Sequence, residues 1–250
     1  MWKYLLLGAV QGATEWFPVS SSGHLVFFQH VLDINAGVAF SALVHFASFL
    51  VILAVFWKDI LRLAMSPFVP HLRKTRQLLL ALIVGSIPAA FFGLLFRNQI
   101  EALFSGFAQL AWAFIFTGII LLLSRLRLFK EIKMSIPVAL AIGFAQAIAL
   151  VPGVSRSGMT ISIALLIGLA RKDAARFSFL LALPALLGAF LLEAPNLLQT
   201  SSPLGAFLGF IFALMVGFVS LKLLMRIIQQ IHWFSIWCFV MAFLVFVLSL

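Results

Sequence analysis

The chain has 250 residues, 64% hydrophobic and 10% charged, with a mean hydropathy of +1.19. Such a composition cannot cover a water-facing surface of this size, which excludes a soluble globular domain and predicts an integral membrane protein. The 17 cations against 7 acids fit basic loops beside a bilayer better than a nucleic-acid surface, and a lone cysteine, Cys238, excludes an internal disulfide and a thiolate metal site.

In chain order, residues 1–32 are apolar but interrupted by QGATEWFPVSSSGH, Gln11 to His24. Lys3 and a short apolar run resemble a signal peptide, yet no small-residue cleavage pattern precedes the polar cluster, so the segment is expected to be retained. Apolar runs follow at residues 39–57, 78–96 and 107–123, each near the roughly 20 residues that cross a bilayer as helix. Residues 136–170 are a second interrupted stretch, broken by VPGVSRSGMT. Runs at 177–192, 204–221 and 233–250 complete six expected spans, with 177–192 the shortest.

Loop charge sets the expected orientation, because short cytoplasmic loops collect Lys and Arg. Residues 58–77 carry a net +4, 125–134 (Arg125, Arg127, Lys130 and Lys133 against Glu131) +3, 171–176 +2 and 222–231 +2. Residues 97–106 (Arg97 against Glu101) are neutral and 193–203 carry −1. The basic loops at 125–134 and 171–176 share a side only if residues 136–170 enter and leave from that side, as a re-entrant helical hairpin. A polar turn at membrane depth is tolerated where it is buried in protein or lines a wet cavity. The same reasoning makes 1–32 a hairpin from the outer side and places both termini outside.

An offset of 135 residues carries Gln11, Ser20, Ser22 and Gly23 onto Gln146, Ser155, Ser157 and Gly158, and Phe40-Ser41 meets Phe177-Ser178 at 137. The expected fold is therefore an all-α polytopic membrane protein forming a single domain over 1–250. It is built from two inverted-topology repeats, near 1–125 and 134–250, each a re-entrant hairpin plus three transmembrane helices.

The two turns bring different chemistry. The first has Glu15, Ser20, Ser21, Ser22 and His24; the second has Ser155, Arg156, Ser157 and Thr160, with Leu150 at the position matching Glu15. Arginine at membrane depth is costly unless paired or wet, and its planar fork beside hydroxyls and a helix N-terminus suits phosphate. The competing reading is a structural Arg156–Glu15 pair. Gln11 and Glu15, four apart, share a helix face, where Glu15 is a base, an orienter of His24 or a cation ligand. Ser21 and His24, three apart, offer a hydroxyl beside an imidazole, the minimal pairing of nucleophile and base. Ser20, Ser22 and the mid-span His45 are weaker candidates.

These two motifs, Gln11 to His24 and Pro152 to Thr160, resemble the undecaprenyl-diphosphate phosphatases of the bacitracin-resistance type, and the resemblance covers essentially the whole chain. It implies hydrolysis of undecaprenyl diphosphate to the monophosphate, recycling the lipid carrier of cell-wall synthesis in the bacterial cytoplasmic (inner) membrane through a site open to the outer face. It carries roles to Gln11, Glu15, Ser21, His24, Ser155, Arg156 and Thr160, and implies a divalent cation, Mg²⁺ or Ca²⁺. Gln11 stands where that family more often has Glu, which puts a two-carboxylate metal site in doubt. The expected mechanism has Arg156, Ser155 and Thr160 clamp the diphosphate while Ser21 attacks and His24, oriented by Glu15, takes its proton; His24 or water as nucleophile stays open. So does a homodimer. The alternative function is a polyprenyl-phosphate transporter.

Overall fold

The computed structural model describes residues 1–96, 99, 106–126, 128–195 and 202–250, and among these the chain is helical, with one isolated bridge between Ile132 and Leu169. It opens on two short helices, α1 (Trp2–Thr14) and α2 (Ser21–Val31), joined through residues 15–20. At 1.5 Å per residue they reach roughly 20 and 17 Å, short of a hydrocarbon core of about 30 Å. There follow α3 (Gly37–Val55), α4 (Trp57–Met65), a 3₁₀ turn at Pro70–Leu72, α5 (Arg73–Leu95) and α6 (Gln109–Leu123). A second short pair, α7 (Ile136–Ile148) and α8 (Arg156–Leu166), precedes α9 (Arg171–Glu193), α10 (Pro203–Ile227) and α11 (Phe234–Leu248).

Helices α3, α5 and α9 are long and apolar enough to cross a membrane. The stretch Pro203–Leu248, 46 residues, is far longer than one crossing needs. It breaks at a 3₁₀ segment where Gln230 leaves helical dihedrals (φ −108°, ψ 20°), separating α10 from α11. The six expected spans thus fall on α3, α5, α6, α9, α10 and α11, of which α6 and α11 have 15 residues each.

Residues 58–77, read from sequence as a charged loop, instead contain α4, the 3₁₀ turn and the first turn of α5. Trp57, Leu61 and Met65 lie exposed at i, i+4 and i+8, while Asp59 receives Arg176 of α9 through two bonds, at 2.6 and 3.2 Å. Of the charges that marked a loop, Lys58, Asp59 and Arg62 belong to the amphipathic helix α4, and Arg73, Lys74 and Arg76 to the first turn of α5. Arg97, Glu101 and Arg127, counted in the expected loops, lie outside the described residues.

Helix α1 packs on α10 and α5 on α7, and both crossings are made by glycines. A methyl group on Gly8 would collide with the Gly209 carbonyl, and one on Gly143 with that of Gly85. In a membrane, where no hydrophobic force drives helices together, such small residues let backbones approach closely enough for dispersion to hold them. Helix α6 packs on α11, and α3 on α9 and α10. Large apolar side chains such as Ile83, Ile87 and Phe91 of α5 and Val240 and Phe243 of α11 point outward, while Gln11, Glu15, His24, Gln146 and Thr160 are buried. The molecule is thus apolar outside and largely apolar inside, with a buried polar group, Gln11, Glu15, His24 and Thr160 among it, where the two short helix pairs meet.

Candidate active site

The turn between α1 and α2 is fixed from both ends. Trp16 is fully buried and meets Phe179 of α9 edge-on at 5.9 Å. Ser20 adopts φ 69°, a left-handed conformation uncommon for a side chain with a Cβ, and its Oγ accepts from the Gly23 amide at 3.1 Å, capping α2. Ser155 caps α8 in the same manner through the Gly158 amide at 3.0 Å. The turns are also tied to each other. Ser22 Oγ accepts from the Gly153 amide at 3.2 Å, and Ser157 Oγ donates to the Phe17 carbonyl at 3.3 Å.

Glu15 is the hub that results. Its Oε1 receives Arg156 Nη2 at 2.8 Å; its Oε2 accepts the Ser21 hydroxyl at 2.6 Å and the Gln11 amide Nε2 at 3.0 Å. His45 of α3 brings Nε2 to 3.9 Å from Oε2, held there by Nδ1 against the Ser41 carbonyl at 2.7 Å. Arg156 extends its second terminal nitrogen to the Ser178 carbonyl at 3.4 Å, and Thr160 bonds the Arg156 carbonyl and the Ser178 hydroxyl at 2.8 and 2.6 Å. The side chains of Glu15 and Arg156 are 5% and 15% exposed, so this is an ion pair in a largely dehydrated setting, where each partner depends on the other.

The structure therefore brings together Gln11, Glu15, Ser21, His45 and Arg156, backs them with Thr160, and uses Ser20, Ser22, Ser155 and Ser157 as caps and ties. His24 stands apart. Its Nδ1 bonds the Ser20 carbonyl at 2.7 Å and its Nε2 accepts the Trp237 indole N–H at 2.9 Å. The two rings are 6° from coplanar with centroids 6.2 Å apart, an in-plane hydrogen bond more than a face-to-face stack. Phe114 meets the imidazole edge-on at 5.3 Å. The expected Ser21–His24 and Glu15–His24 contacts are not formed, because both ring nitrogens already have other partners.

A family model described as bacitracin resistance protein BacA matches residues 4–244. The chain belongs to the BacA family. It is 35% identical to the undecaprenyl-diphosphatase of Methanobrevibacter smithii, covering 98% of this chain and 96% of the relative. It is 36% identical to that of Halothermothrix orenii, covering 100% and 98%. Against undecaprenyl-diphosphatase 1 of Bacillus licheniformis the identity is 38%, over 99% and 97%. Family and helices together make this a multi-pass membrane protein.

The expected cation of this BacA-family chain can be tested against its donors. Mg²⁺ and Ca²⁺ take about six or more oxygens. The Glu15 carboxylate already meets Arg156, Ser21 and Gln11, and Gln11 Oε1, buried and without a partner among the described residues, is a further acceptor. No group of three or more His, Cys, Asp or Glu side chains placed to hold a metal ion occurs among the described residues. One paired carboxylate and one amide oxygen fall short of an all-protein cage; a divalent cation held here would be shared among Glu15, Gln11 Oε1, water and the phosphates of a substrate.

Four contributors escape a reading of the sequence: Ser48, whose hydroxyl is 3.5 Å from Gln11 Nε2; Thr117, which accepts the Ser155 amide at 3.1 Å; Ser178; and Trp237. Only Ser178 carried a signal, as half of the Phe177-Ser178 match to Phe40-Ser41.

Proposed function

We propose that this protein is a polyprenyl-diphosphate phosphatase that hydrolyses undecaprenyl diphosphate to the monophosphate and inorganic phosphate. The observation that carries the reading is a hydroxyl, Ser21, 2.6 Å from a carboxylate whose other oxygen faces an arginine at 2.8 Å, all at the junction of two helix-capping turns. The relatives' names supply the substrate class.

Phosphoryl transfer needs mainly positioning and charge compensation. Arg156 turns its fork from Glu15 to the diphosphate, with Ser155, Thr160 and the first amides of α8 beside it. Glu15, freed on that side, takes the Ser21 proton as Oγ bonds to the terminal phosphorus. The bond to the bridging oxygen breaks, its electron pair stays on that oxygen, and the lipid monophosphate leaves with the proton. Water, deprotonated by Glu15, then opens the phosphoserine; phosphate departs and the proton returns to Oγ. In this scheme Glu15 is the base, and His24 shapes the turn by holding the Ser20 carbonyl.

The inverted-repeat plan also belongs to this proposal, with halves near 1–125 and 134–250. It is supported by the paired crossings α1 on α10 and α7 on α5, and by serine caps 135 residues apart. Both short helix pairs are then re-entrant, the termini lie outside, and the site faces the outer side of the cytoplasmic membrane.

The test is phosphate release by purified protein in detergent, where no transbilayer movement occurs. An acid-stable phosphoserine at Ser21, and loss of at least about 10³-fold in kcat in Ser21→Ala, are expected. Inactivity of the wild type on a competent lipid diphosphate would move the conclusion to transport; an acid-labile adduct on His24 would move the nucleophile.

A further inference from the structure

Between α5, α7 and α9 lies a cavity of about 400 Å³ that the chemistry above does not use. Its walls are small: Ala89 and Gly93 on α5 face Ala185 and Gly188 on α9. Elsewhere in this molecule small residues draw helices into contact, as at Gly8 and Gly209. Here they do the opposite. A Cβ on Gly188 would meet nothing within 4 Å, and one on Gly93 would meet only Leu150, at 3.6 and 3.8 Å. The small residues keep a slot open, and the exposed Ala90 and Ala189 along its rim leave it accessible from the side, where lipid would lie.

The two ends of the slot differ. One is closed by Leu150 and Pro152, the latter four residues before Arg156 in the same turn. Gln146 lies there too, 2% exposed, with its Oε1 unpartnered among the described residues. The N–H₂ of that amide can donate to the oxygens of a lipid's phosphate ester, while the rest of the lining is mostly apolar, with Ser86 and Glu193 its other polar members. A cavity of roughly 150 Å³ takes benzene, so 400 Å³ takes on the order of 16 carbons, about three isoprene units.

We propose that this slot holds the isoprenoid segment nearest the diphosphate of the lipid substrate, making α5 and α9 the specificity elements of the enzyme. The inference rests on the phosphatase reading above. A chain anchored in the slot positions the terminal phosphorus at Ser21, so binding energy remote from the reacting bond serves the reaction.

The experiment uses the full chain in detergent with methyl, farnesyl and undecaprenyl diphosphates, of one, fifteen and fifty-five carbons. A Cβ at Gly188 meets nothing within 4 Å, so Gly188→Leu extends from open space into the slot and replaces glycine by a better helix former, and it is expected to fold; Gly188→Ala is the size control. In Gly188→Leu, KM for the two longer substrates is expected to rise at least tenfold while kcat/KM for the one-carbon diphosphate, which has no chain to place in the slot, stays within twofold, and Gly188→Ala tracks the wild type. An equal loss on all three substrates overturns the proposal, since the variant then disturbs the site itself. Unchanged KM on all three also overturns it and assigns the slot to bilayer acyl chains. Failure of the wild type to release phosphate from any of them refutes the phosphatase reading instead, a different outcome from either.

Discussion

The Glu15–Arg156 pair can be weighed by a double-mutant cycle. Glu15→Gln leaves a guanidinium, 15% exposed, with a single 3.4 Å bond to the Ser178 carbonyl. Arg156→Gln leaves a carboxylate, 5% exposed, that keeps Ser21 and Gln11 as neutral donors. Removing one member of a buried pair costs about 3–5 kcal/mol. The first variant belongs near the upper figure because its orphan has the poorer company, and the second near the lower. Glu15→Gln/Arg156→Gln leaves no buried charge, so its loss should fall short of the summed singles by about 2–3 kcal/mol. Denaturant unfolding in a fixed detergent, followed by tryptophan fluorescence, reads all four corners. Phosphate release, by contrast, should fall at least about a hundredfold in every variant and stay lost in the double, because chemistry needs both groups whereas stability needs only their mutual neutralisation. Additive stability losses, within about 0.5 kcal/mol, would show that the two charges do not depend on each other and would remove the hub from this account.

Gln11→Glu places a second carboxylate where the present amide lies 3.0 Å from Glu15; its phosphate release is expected to depend more steeply on added Mg²⁺ or Ca²⁺ than that of the wild type, and equal dependence counts against the donor argument. Trp237→Phe strands His24 Nε2 at a cost of about 1–3 kcal/mol. ¹⁵N-histidine NMR should then show His24 leaving a single Nδ1–H tautomer, with kcat reduced more than KM is raised; an unchanged spectrum argues against the indole as the anchor. Gly8→Ala puts a methyl group onto the Gly209 carbonyl, backbone against backbone, and is expected to destabilise by about 1–3 kcal/mol, while Gly188→Ala, with open space around it, is expected to be neutral or stabilising by thermal unfolding.

Both turns were legible in the sequence because their signals are local: a serine three residues before a capped amide, a Pro-Gly break, polar residues inside an oily run. The spans were legible for the same reason. Helix α4 was not, although Trp57, Leu61 and Met65 repeat at helical spacing, because its charges were counted as loop. The partner of His24 was out of reach. Ser21 and His24 are three apart and invite pairing, yet the bond that decides the matter comes from Trp237, 213 residues away, with nothing local to distinguish it from the outward-facing aromatics around it. Arg156 and Glu15 could be paired from sequence only as one of two alternatives. Geometry makes them partners here, and that same pairing leaves Arg156 poised at the edge of the site that the proposed chemistry needs.

The cross-ties between the turns also set an order of events during synthesis. Glu15 meets its arginine only after another 141 residues have been made, and Ser22 and Phe17 wait 131 and 140 residues for Gly153 and Ser157. At about 5–20 residues per second, the first helix pair spends roughly 7–28 s without the groups that complete it. No fragment ending before residue 156 can assemble this site, so the N-terminal half reaches the membrane with its carboxylate lacking its arginine and gains that partner only as the second half arrives.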